Sequence, residues 1–459
     1  MTLQDFVGKS IHFIGVGGIG MSGLAQLLHT RGFLISGSDL SFNSNIERLK
    51  KIGIDVVLGH NPATLDGKEI IVLSTDIKET NLELQQAQAK NLPIFHRADI
   101  LAMLMREKAG IAISGTHGKT TTTALTGWVL EKAGLDPTVV NGGVMNTWDS
   151  NIRAGQGKWC VAEADESDGS FLKLPRQISL ITNIDPEHMD HYGSFEKLLS
   201  AFERFSSEGI AILGIDHPHV YTLWQKIKDT RPCITYGIHT QADVRAESIC
   251  LTPTGSSFDL VKEDKKYNIS LSLFGYHNVL NALAAAAIAF HCGVRMHVLR
   301  EAFSSFTGVQ RRFTVVGQWK GITIVDDYAH HPTEIRATLL AARGASQGRV
   351  IAILEPHRYS RVAHHFQDFV MCCEEADLTI ILPIYAAREL PLEGITHQAL
   401  AAAMKGEVYC CDDPQHLPSL IQSIARTGDI LMCLGAGSIS SFARALPVDL
   451  NKVSEQIRA

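Results

Sequence analysis

The most specific chemical signal in the chain is the stretch from Gly110 to Thr123, Gly-Ile-Ala-Ile-Ser-Gly-Thr-His-Gly-Lys-Thr-Thr-Thr-Thr. Gly115 and Gly118 let the backbone curl so that successive N–H groups point inward. Lys119 adds a cation, and Thr120 places a hydroxyl where a phosphate-bound Mg²⁺ would take it. A full P-loop would have glycine at Ile113, so this is a shortened relative, and it predicts binding of a nucleoside triphosphate. Further along, Glu163-Ala-Asp165-Glu166-Ser167-Asp168 gathers four acids in six residues. Such a cluster repels itself unless something positive offsets it, and Mg²⁺ with its phosphates selects carboxylate oxygens. His188, in Asp185-Pro-Glu-His188-Met-Asp-His, offers an imidazole for a second metal beside a phosphate.

A second glycine turn lies near the start. Gly15, Gly17 and Gly20 fit G-x-G-x-x-G, with Gly18 between them, and Asp39 follows 19 residues after Gly20. Taken alone this is a dinucleotide fingerprint and reads as NAD binding; the same turn at a helix start holds any pyrophosphate, that of a UDP-sugar included. Ser74, Thr75, His96 and Arg97 fall just past apolar runs, where ligands of open parallel sheets sit. Asn278 and Asn281 are three apart and share one face of a helix start, where such amides can read an adenine edge or cap the helix. Arg311 and Arg312 are candidate phosphate clamps, and Arg358 and Arg361 suit a carboxylate.

The elements that must position these groups are strands alternating with helices. The strands are Ile11–Ile14, Val56–Leu58, Ile70–Leu73, Pro93–Phe95, Ile111–Ser114, Trp159–Ala162, Ile178–Ile181, Ile210–Leu213, Ile322–Val325, Val350–Leu354, Leu378–Leu382 and Asp429–Leu434. Strands alternating with helices imply doubly wound sheets, and in the last domain every polar cluster sits after a strand. Residues 220–273 have shorter alternating segments and read as a small β insertion. The expected fold is α/β with three domains: Rossmann-like over 1–107, a central P-loop mononucleotide-binding, ATPase-like domain over 108–314 that carries the insertion, and Rossmann-like over 315–459.

Composition agrees with three domains. The chain has 459 residues, 45% hydrophobic and 20% charged, with a net charge of −6. That charge gives no general pull toward nucleic acid or anionic membrane, and no apolar run reaches the ~20 residues needed to span a bilayer. The nine cysteines lack C-x-x-C spacing; the adjacent pairs Cys372-Cys373 and Cys410-Cys411 read as buried thiols of a reducing compartment. We expect a cytoplasmic protein, a monomer or weak homodimer, with neither nucleic-acid nor membrane partners.

Together, Gly-Thr-His-Gly-Lys-Thr-Thr at 115–121, Glu-Ala-Asp-Glu-Ser-Asp at 163–168, Thr-Asn-Ile-Asp-Pro-Glu-His-Met-Asp at 182–190, His-Asn-Val-Leu-Asn at 277–281 and Asp-Asp-Tyr-Ala-His-His-Pro at 326–332 resemble the Mur ligase family. Gly-Val-Gly-Gly-Ile-Gly-Met-Ser-Gly at 15–23 and Pro-His-Arg-Tyr-Ser-Arg at 356–361 are most similar to the branch that joins L-alanine to UDP-N-acetylmuramate with ATP and Mg²⁺. A neighbouring branch attaches a whole tripeptide to the same UDP-sugar, but its first glycine loop reads Gly-Ile-Cys-Gly-Thr. The resemblance implies that Gly115, Thr116, His117, Gly118, Lys119, Thr120, Thr121, Asn278, Asn281, Arg312 and Asp327 bind ATP. It implies metal ligation by Thr120, Glu166 and His188. Gly15, Gly17, Gly18, Gly20, Asp39, Ser74, His96 and Arg97 would take the UDP-sugar. Tyr328, His330, Arg358 and Arg361 would line the amino-acid pocket, with Lys119, His188 and His330 the catalytic candidates. Glu355 stands where the resemblance expects glutamine, which is expected to alter the amino-acid pocket slightly; Asp76 also departs from the pattern, and neither departure changes the expected reaction class.

Overall fold

The apolar runs that precede the polar clusters are strands of three sheets in a computed structural model, which describes residues 1–252, 254–346 and 348–458, with side chains up to Val453. Two compact units emerge. The first comprises residues 1–247, 260–267 and 280–307; the second comprises 248–259, 268–279 and 308–459.

In the first unit, β1 (Ser10–Ile14), β2 (Leu34–Asp39), β3 (Asp55–Leu58), β4 (Ile70–Leu73) and β5 (Ile94–His96) form a parallel sheet of order 3-2-1-4-5. A second sheet is built on β6 (Ala109–Ser114), buried along its whole length. It continues through β7 (Thr138–Met145), β8 (Ser150–Arg153), β9 (Trp159–Glu163), β10 (Ile178–Ile181), β11 (Ile210–Gly214) and β12 (Cys233–Gly237), in the order 8-7-9-6-10-11-12. All pairs there are parallel except the β7–β8 hairpin. Continuous Ile and Ala runs such as Ile111-Ala-Ile113 are what a strand covered on both faces requires. The strands β13 (Val244–Thr252), β14 (Gly255–Lys262) and β15 (Lys265–Leu271), together with the helix Tyr276–His291, contribute residues to both units.

In the second unit, β16 (Thr314–Trp319), β17 (Ile322–Asp327), β18 (Val350–Leu354), β19 (Leu378–Ile381), β20 (Val408–Cys410) and β21 (Ile430–Leu434) form a sheet of order 16-17-21-18-19-20, antiparallel only at β16–β17. Separate apolar clusters cover its two faces, one including Ile335, Leu339 and Phe369, the other Leu417, Ile421 and Leu446.

Several elements depart from expectation. His96 is the last residue of β5 instead of lying past it, and Asp326 and Asp327 are inside β17. The stretch after residue 217 opens with a helix, Pro218–Ile227, before β12 joins the sheet in parallel. Cys410 is exposed, whereas Cys372, Cys373 and Cys411 are buried. β20 is a short edge strand, and alternate residues of an edge face solvent.

His277, packed within the second unit, yields a pH prediction. Burial, helped by the charge of Arg312, holds its pKa down at about 4 against an ordinary 6.5. The unfolded chain therefore binds a proton that the folded one excludes between those values, so the stability this imidazole contributes is present above pH 6.5 and is lost as pH falls toward 4. Between pH 7.5 and 5 this amounts to about 2 kcal/mol. Urea unfolding of His277→Gln should show a pH dependence shallower by that amount, and an unchanged slope would refute the assignment.

Candidate active site

The phosphate loop begins where β6 ends. Gly115 and Gly118 adopt φ of +128° and +83°, a region open mainly to glycine, and the helix Lys119–Lys132 starts directly after Gly118. A Cβ on Gly115 would lie 2.1 Å from Thr182 Oγ1, so the loop runs against the end of β10 with no room for a side chain. That strand end braces it: Thr116 N–H donates to the Asn183 carbonyl at 3.0 Å, His117 N–H to Asn183 Oδ1 at 2.7 Å, and Thr182 Oγ1 to the His117 carbonyl at 2.7 Å. His117 and His217 approach the Asp185 carboxylate at 3.3 and 3.2 Å. Although burial works the other way, hydrogen bonds from these two rings hold its pKa below the usual range. The first-turn amides of Lys119, Thr120 and Thr121 are those a helix start presents to an anion.

Lys119 Nζ donates to the carbonyls of Gly115 (2.6 Å) and Thr116 (3.1 Å) and lies 3.0 Å from each oxygen of Glu166. Burial disfavours its charge, but Glu166, Asp165 and Glu163 outweigh that and raise its pKa. For Glu163 and Glu166, burial wins over Lys119 and pushes both upward. The loop thus holds more buried carboxylate than one ammonium neutralises, which is the donor set a divalent cation needs.

Thr120 Oγ1 donates to Glu163 Oε1 at 3.1 Å. Glu163, last in β9, also accepts the Gly142 N–H at 2.8 Å. Glu166 instead joins Lys119 to His188, whose Nε2 is 3.9 Å from Glu166 Oε1 and 3.7 Å from Glu187 Oε2. Aromatic packing fixes the acidic loop: Phe171 stacks on Phe205 at 4.9 Å and meets Phe202 edge-on at 5.4 Å, and Tyr192 Oη donates to the Glu166 carbonyl at 2.6 Å.

Asn281 Oδ1 accepts from Thr122 Oγ1 at 3.1 Å, and a Cβ on Gly118 would lie 2.6 Å from it, so this amide packs against the loop itself. Asn278 Nδ2 donates to the Phe274 carbonyl at 2.8 Å, fastening the helix start.

The first glycine turn is built from the ends of β1 and β2. Gly15 N–H and Val16 N–H both donate to the Ser38 carbonyl, at 2.8 and 2.9 Å. Gly17 N–H donates to Asp39 Oδ2 at 2.9 Å, and Ser41 N–H to Oδ1 at 3.2 Å. Asp39 therefore carries the turn rather than reaching outward. Gly18 caps the helix Ile19–Thr30, and the amides of Ile19, Gly20 and Met21 are those such a helix start offers to an anion. Arg97 lies between the first glycine turn and the acidic loop: a Cβ on Gly20 would lie 3.5 Å from its Nη1, and its Nη2 donates to Asp165 Oδ2 at 3.1 Å. Thr75 Oγ1 lies 3.1 Å from His96 Nε2 and donates to Asp168 Oδ2 at 2.5 Å. These three, with Lys173, His191 and Arg204, line a cavity of about 800 Å³. Ser74 turns the chain after β4, its carbonyl accepting the Ile77 N–H.

Sequence reasoning missed Glu83. It is fully buried in the helix Leu82–Ala89 and accepts hydrogen bonds from Ser38 Oγ, from Thr64 Oγ1 at 2.5 Å, from Asn61 N–H at 3.3 Å and from the His60 ring at 2.8 Å. Through Ser38 it supports the first glycine turn. Removing the carboxylate orphans several buried donors, so Glu83→Ala should lower unfolding stability by roughly 3 kcal/mol. A loss under about 1 kcal/mol in denaturant unfolding would show that the network does not brace the turn.

The second unit has its own cluster at the ends of β17 and β18. Asp327 accepts Phe313 N–H and Ala329 N–H, each at 2.7 Å, and burial raises its pKa to about 6; both oxygens hold backbone in place. The guanidinium groups of Arg311 and Arg312 lie 4.7 and 5.3 Å over the Tyr328 ring. His330 Nδ1 lies 2.9 Å from the Tyr328 carbonyl and 3.3 Å from Glu334 Oε2. Two acceptors at Nδ1 place the proton there and leave Nε2 its lone pair. Burial, reinforced by Arg361 and Arg312 and opposed by Glu334, lowers the ring's pKa and keeps it neutral. His330 meets His357 edge-on at 5.7 Å, and Arg361 Nη1 lies 3.3 Å from His357 Nδ1. Arg358 is paired with Glu389 at 2.7 Å. Glu355 accepts from Ser438 Oγ at 2.5 Å and Ile439 N–H at 3.2 Å, where it caps the last helix.

Three family models match the chain in order: Mur ligase family, catalytic domain, over residues 10–109; Mur ligase middle domain over 113–289; and Mur ligase, glutamate ligase domain, over 311–437. UDP-N-acetylmuramate–L-alanine ligase of Rhodospirillum rubrum is 47% identical, covering 98% of this chain and 96% of that protein. The protein of the same name from Gluconobacter oxydans is 46% identical over 97% of both chains. Among solved structures, UDP-N-acetylmuramate-alanine ligase MurC from Thermotoga maritima superposes with a TM-score of 0.84 at 27% identity, covering 97% and 99% of the two chains. The murein peptide ligase of Psychrobacter arcticus, 23% identical with a TM-score of 0.72 over 96% and 99%, shares the fold.

Proposed function

Because the chain belongs to the Mur ligase family, we propose that its two units carry out one ATP-dependent amide synthesis, joining L-alanine to the lactyl carboxylate of UDP-N-acetylmuramate for peptidoglycan synthesis. The observation that carries the reading is the braced phosphate loop with Lys119 held against Glu166 and Thr120 against Glu163.

A carboxylate is a poor electrophile, so the lactyl carboxylate first takes the γ-phosphoryl group of ATP, releasing ADP. The amine of L-alanine then attacks the acyl phosphate, and the tetrahedral intermediate expels inorganic phosphate and leaves the amide. In the first step two anions must meet, and the preorganised N–H groups after Gly118 together with Lys119 supply positive potential where charge develops. Mg²⁺ suits the surplus of buried carboxylate; Thr120 with Glu163, and Glu166 with His188, are the residues that would hold it, and when bound it would neutralise the transferring phosphoryl oxygens.

The first-turn amides after Gly18 and the side chain of Arg97 would take the UDP pyrophosphate. The cavity beside Thr75 and His96 offers room and cations for the rest of the UDP-sugar. Tyr328, His330 and Arg361 form the amino-acid pocket, and His330 Nε2 is the acceptor we assign for the amine proton. The domain divisions we assign fall at 107/108 and 314/315. No described helix is long and apolar enough to cross a membrane. We assign the enzyme a cytoplasmic location and a monomeric or weakly dimeric state.

The test is phosphate release from ATP and Mg²⁺ with UDP-N-acetylmuramate, comparing L-alanine, the tripeptide and no amine. Turnover with L-alanine alone is expected. Turnover with the tripeptide alone would move the chain to the neighbouring branch, and none with either, in folded protein, would overturn the reading.

A further inference from the structure

A second chemically distinct cluster lies at the edge of the second unit's sheet, away from the strand ends described above. His397 is the first residue of the helix His397–Ala403, Cys410 ends β20, and Asp412 follows two residues later. One ligand atom of each lies within 4.8 Å of the other two. His397 Nε2 is 2.8 Å and Cys410 Sγ 3.7 Å from the same atom, Asp412 Oδ1. We propose that His397 Nε2, Cys410 Sγ and Asp412 Oδ1 bind a single borderline-soft divalent cation of the Zn²⁺ type, with water completing a tetrahedron.

The spacing suits such an ion. With Zn–S near 2.3 Å and Zn–N and Zn–O near 2.0–2.1 Å, tetrahedral geometry puts sulfur and oxygen about 3.6 Å apart and nitrogen and oxygen about 3.3 Å apart. The sulfur–oxygen distance already matches, and the nitrogen–oxygen distance needs to open by about half an ångström as the metal replaces the shared proton. Binding displaces the Cys410 thiol proton to solvent, and thiolate plus carboxylate then balance the two positive charges.

The donors are held in place beforehand. Thr396 Oγ1 accepts the Ala399 N–H at 3.0 Å and fixes the helix start, and Leu400 anchors that helix in the core. Cys411 is buried with Sγ 3.2 Å from the Asp413 carbonyl, while Asp413 Oδ1 accepts the Gln415 N–H at 2.9 Å. Asp412 is thus flanked by two fastened residues, and Gln398 Nε2 steadies its Oδ1 at 2.7 Å. The Asp412 side chain is 73% exposed and that of His397 13%, so a hydrated ion reaches an open face while the imidazole stays packed. A metal there would tie β20 to the helix beside it and close off part of the sheet's edge.

The probe is Co²⁺ added to the full-length, metal-stripped chain, followed by the thiolate-to-cobalt charge-transfer band and by Zn²⁺ competition. One equivalent should produce the band, and Zn²⁺ should abolish it. Cys410→Ser and His397→Ala should lose it, Gln398→Ala should weaken binding about tenfold, and Cys250→Ser, which alters another exposed thiol, should leave it unchanged. All of these variants should keep native circular dichroism and ligase turnover. No band in folded wild-type protein, or an equal band in Cys410→Ser, would overturn the assignment.

Discussion

Lys119→Ala should cut phosphate release by about a thousandfold, the upper range for removing one preorganised donor from a developing negative charge. The lysine does two jobs that can be separated. Its ammonium is fixed by two loop carbonyls and Glu166, where the proposed function would have it meet the triphosphate. Its charge also offsets those of the buried Glu166 and of Glu163 beside it. Its removal leaves charge uncompensated, so the variant should also lose about 3–5 kcal/mol of stability, less whatever carboxylate protonation recovers. Lys119→Met combined with Glu166→Gln replaces the pair by neutral groups of similar size and should regain most of that stability without regaining turnover. Turnover of the single variant within tenfold of wild type would sink the catalytic assignment.

Arg361→Ala should raise the KM for L-alanine about a hundredfold or more and leave those for ATP and UDP-N-acetylmuramate nearly unchanged. Truncating one partner of a buried charge-assisted pair costs about 2–5 kcal/mol, and Arg361 lies beside His357 at the strand ends, next to the neutral His330. Arg358, equally eligible in the sequence, is half-exposed and committed to Glu389. Its alanine variant should shift the same KM by less than about tenfold. Initial-rate measurements over L-alanine concentration decide between them, and a larger effect at Arg358 would reverse the assignment.

The contrast between these two arginines shows where sequence reasoning stops. Parallel strands were legible because burial on both faces demands runs such as Ile70–Leu73 and Val350–Leu354, and the clusters at their ends came from topology. Which acid of Glu163-Ala-Asp165-Glu166 meets Thr120 was not legible: it depends on Glu163 still belonging to β9 while Glu166 has turned toward Lys119. Glu83 was hidden because Leu82-Glu-Leu-Gln-Gln reads as a solvated helix face, and its partners come from two distant segments, the end of β2 and residues 60–64. The hairpin of β7 and β8 was missed because Asn141-Gly-Gly and Asn146-Thr-Trp-Asp look like loop chemistry. Glu355, expected to alter the amino-acid pocket, is taken up by the last helix's N-terminus, a partner 83 residues away that no local pattern announces.

Arg97 lies beside Gly20 of the first glycine turn and pairs with Asp165 of the acidic loop, so under the proposed function the UDP-sugar and ATP sites would share one positive charge. A pyrophosphate at the helix start after Gly18 draws on that charge and leaves Asp165 less compensated, which increases the acidic loop's affinity for a cation. Linkage makes the effect mutual: whatever factor the UDP-sugar applies to the binding of metal-bound ATP, metal-bound ATP applies to the binding of the UDP-sugar. On the proposed function a single guanidinium would make the occupancy of each site a readout of the other, and Arg97→Ala would uncouple them.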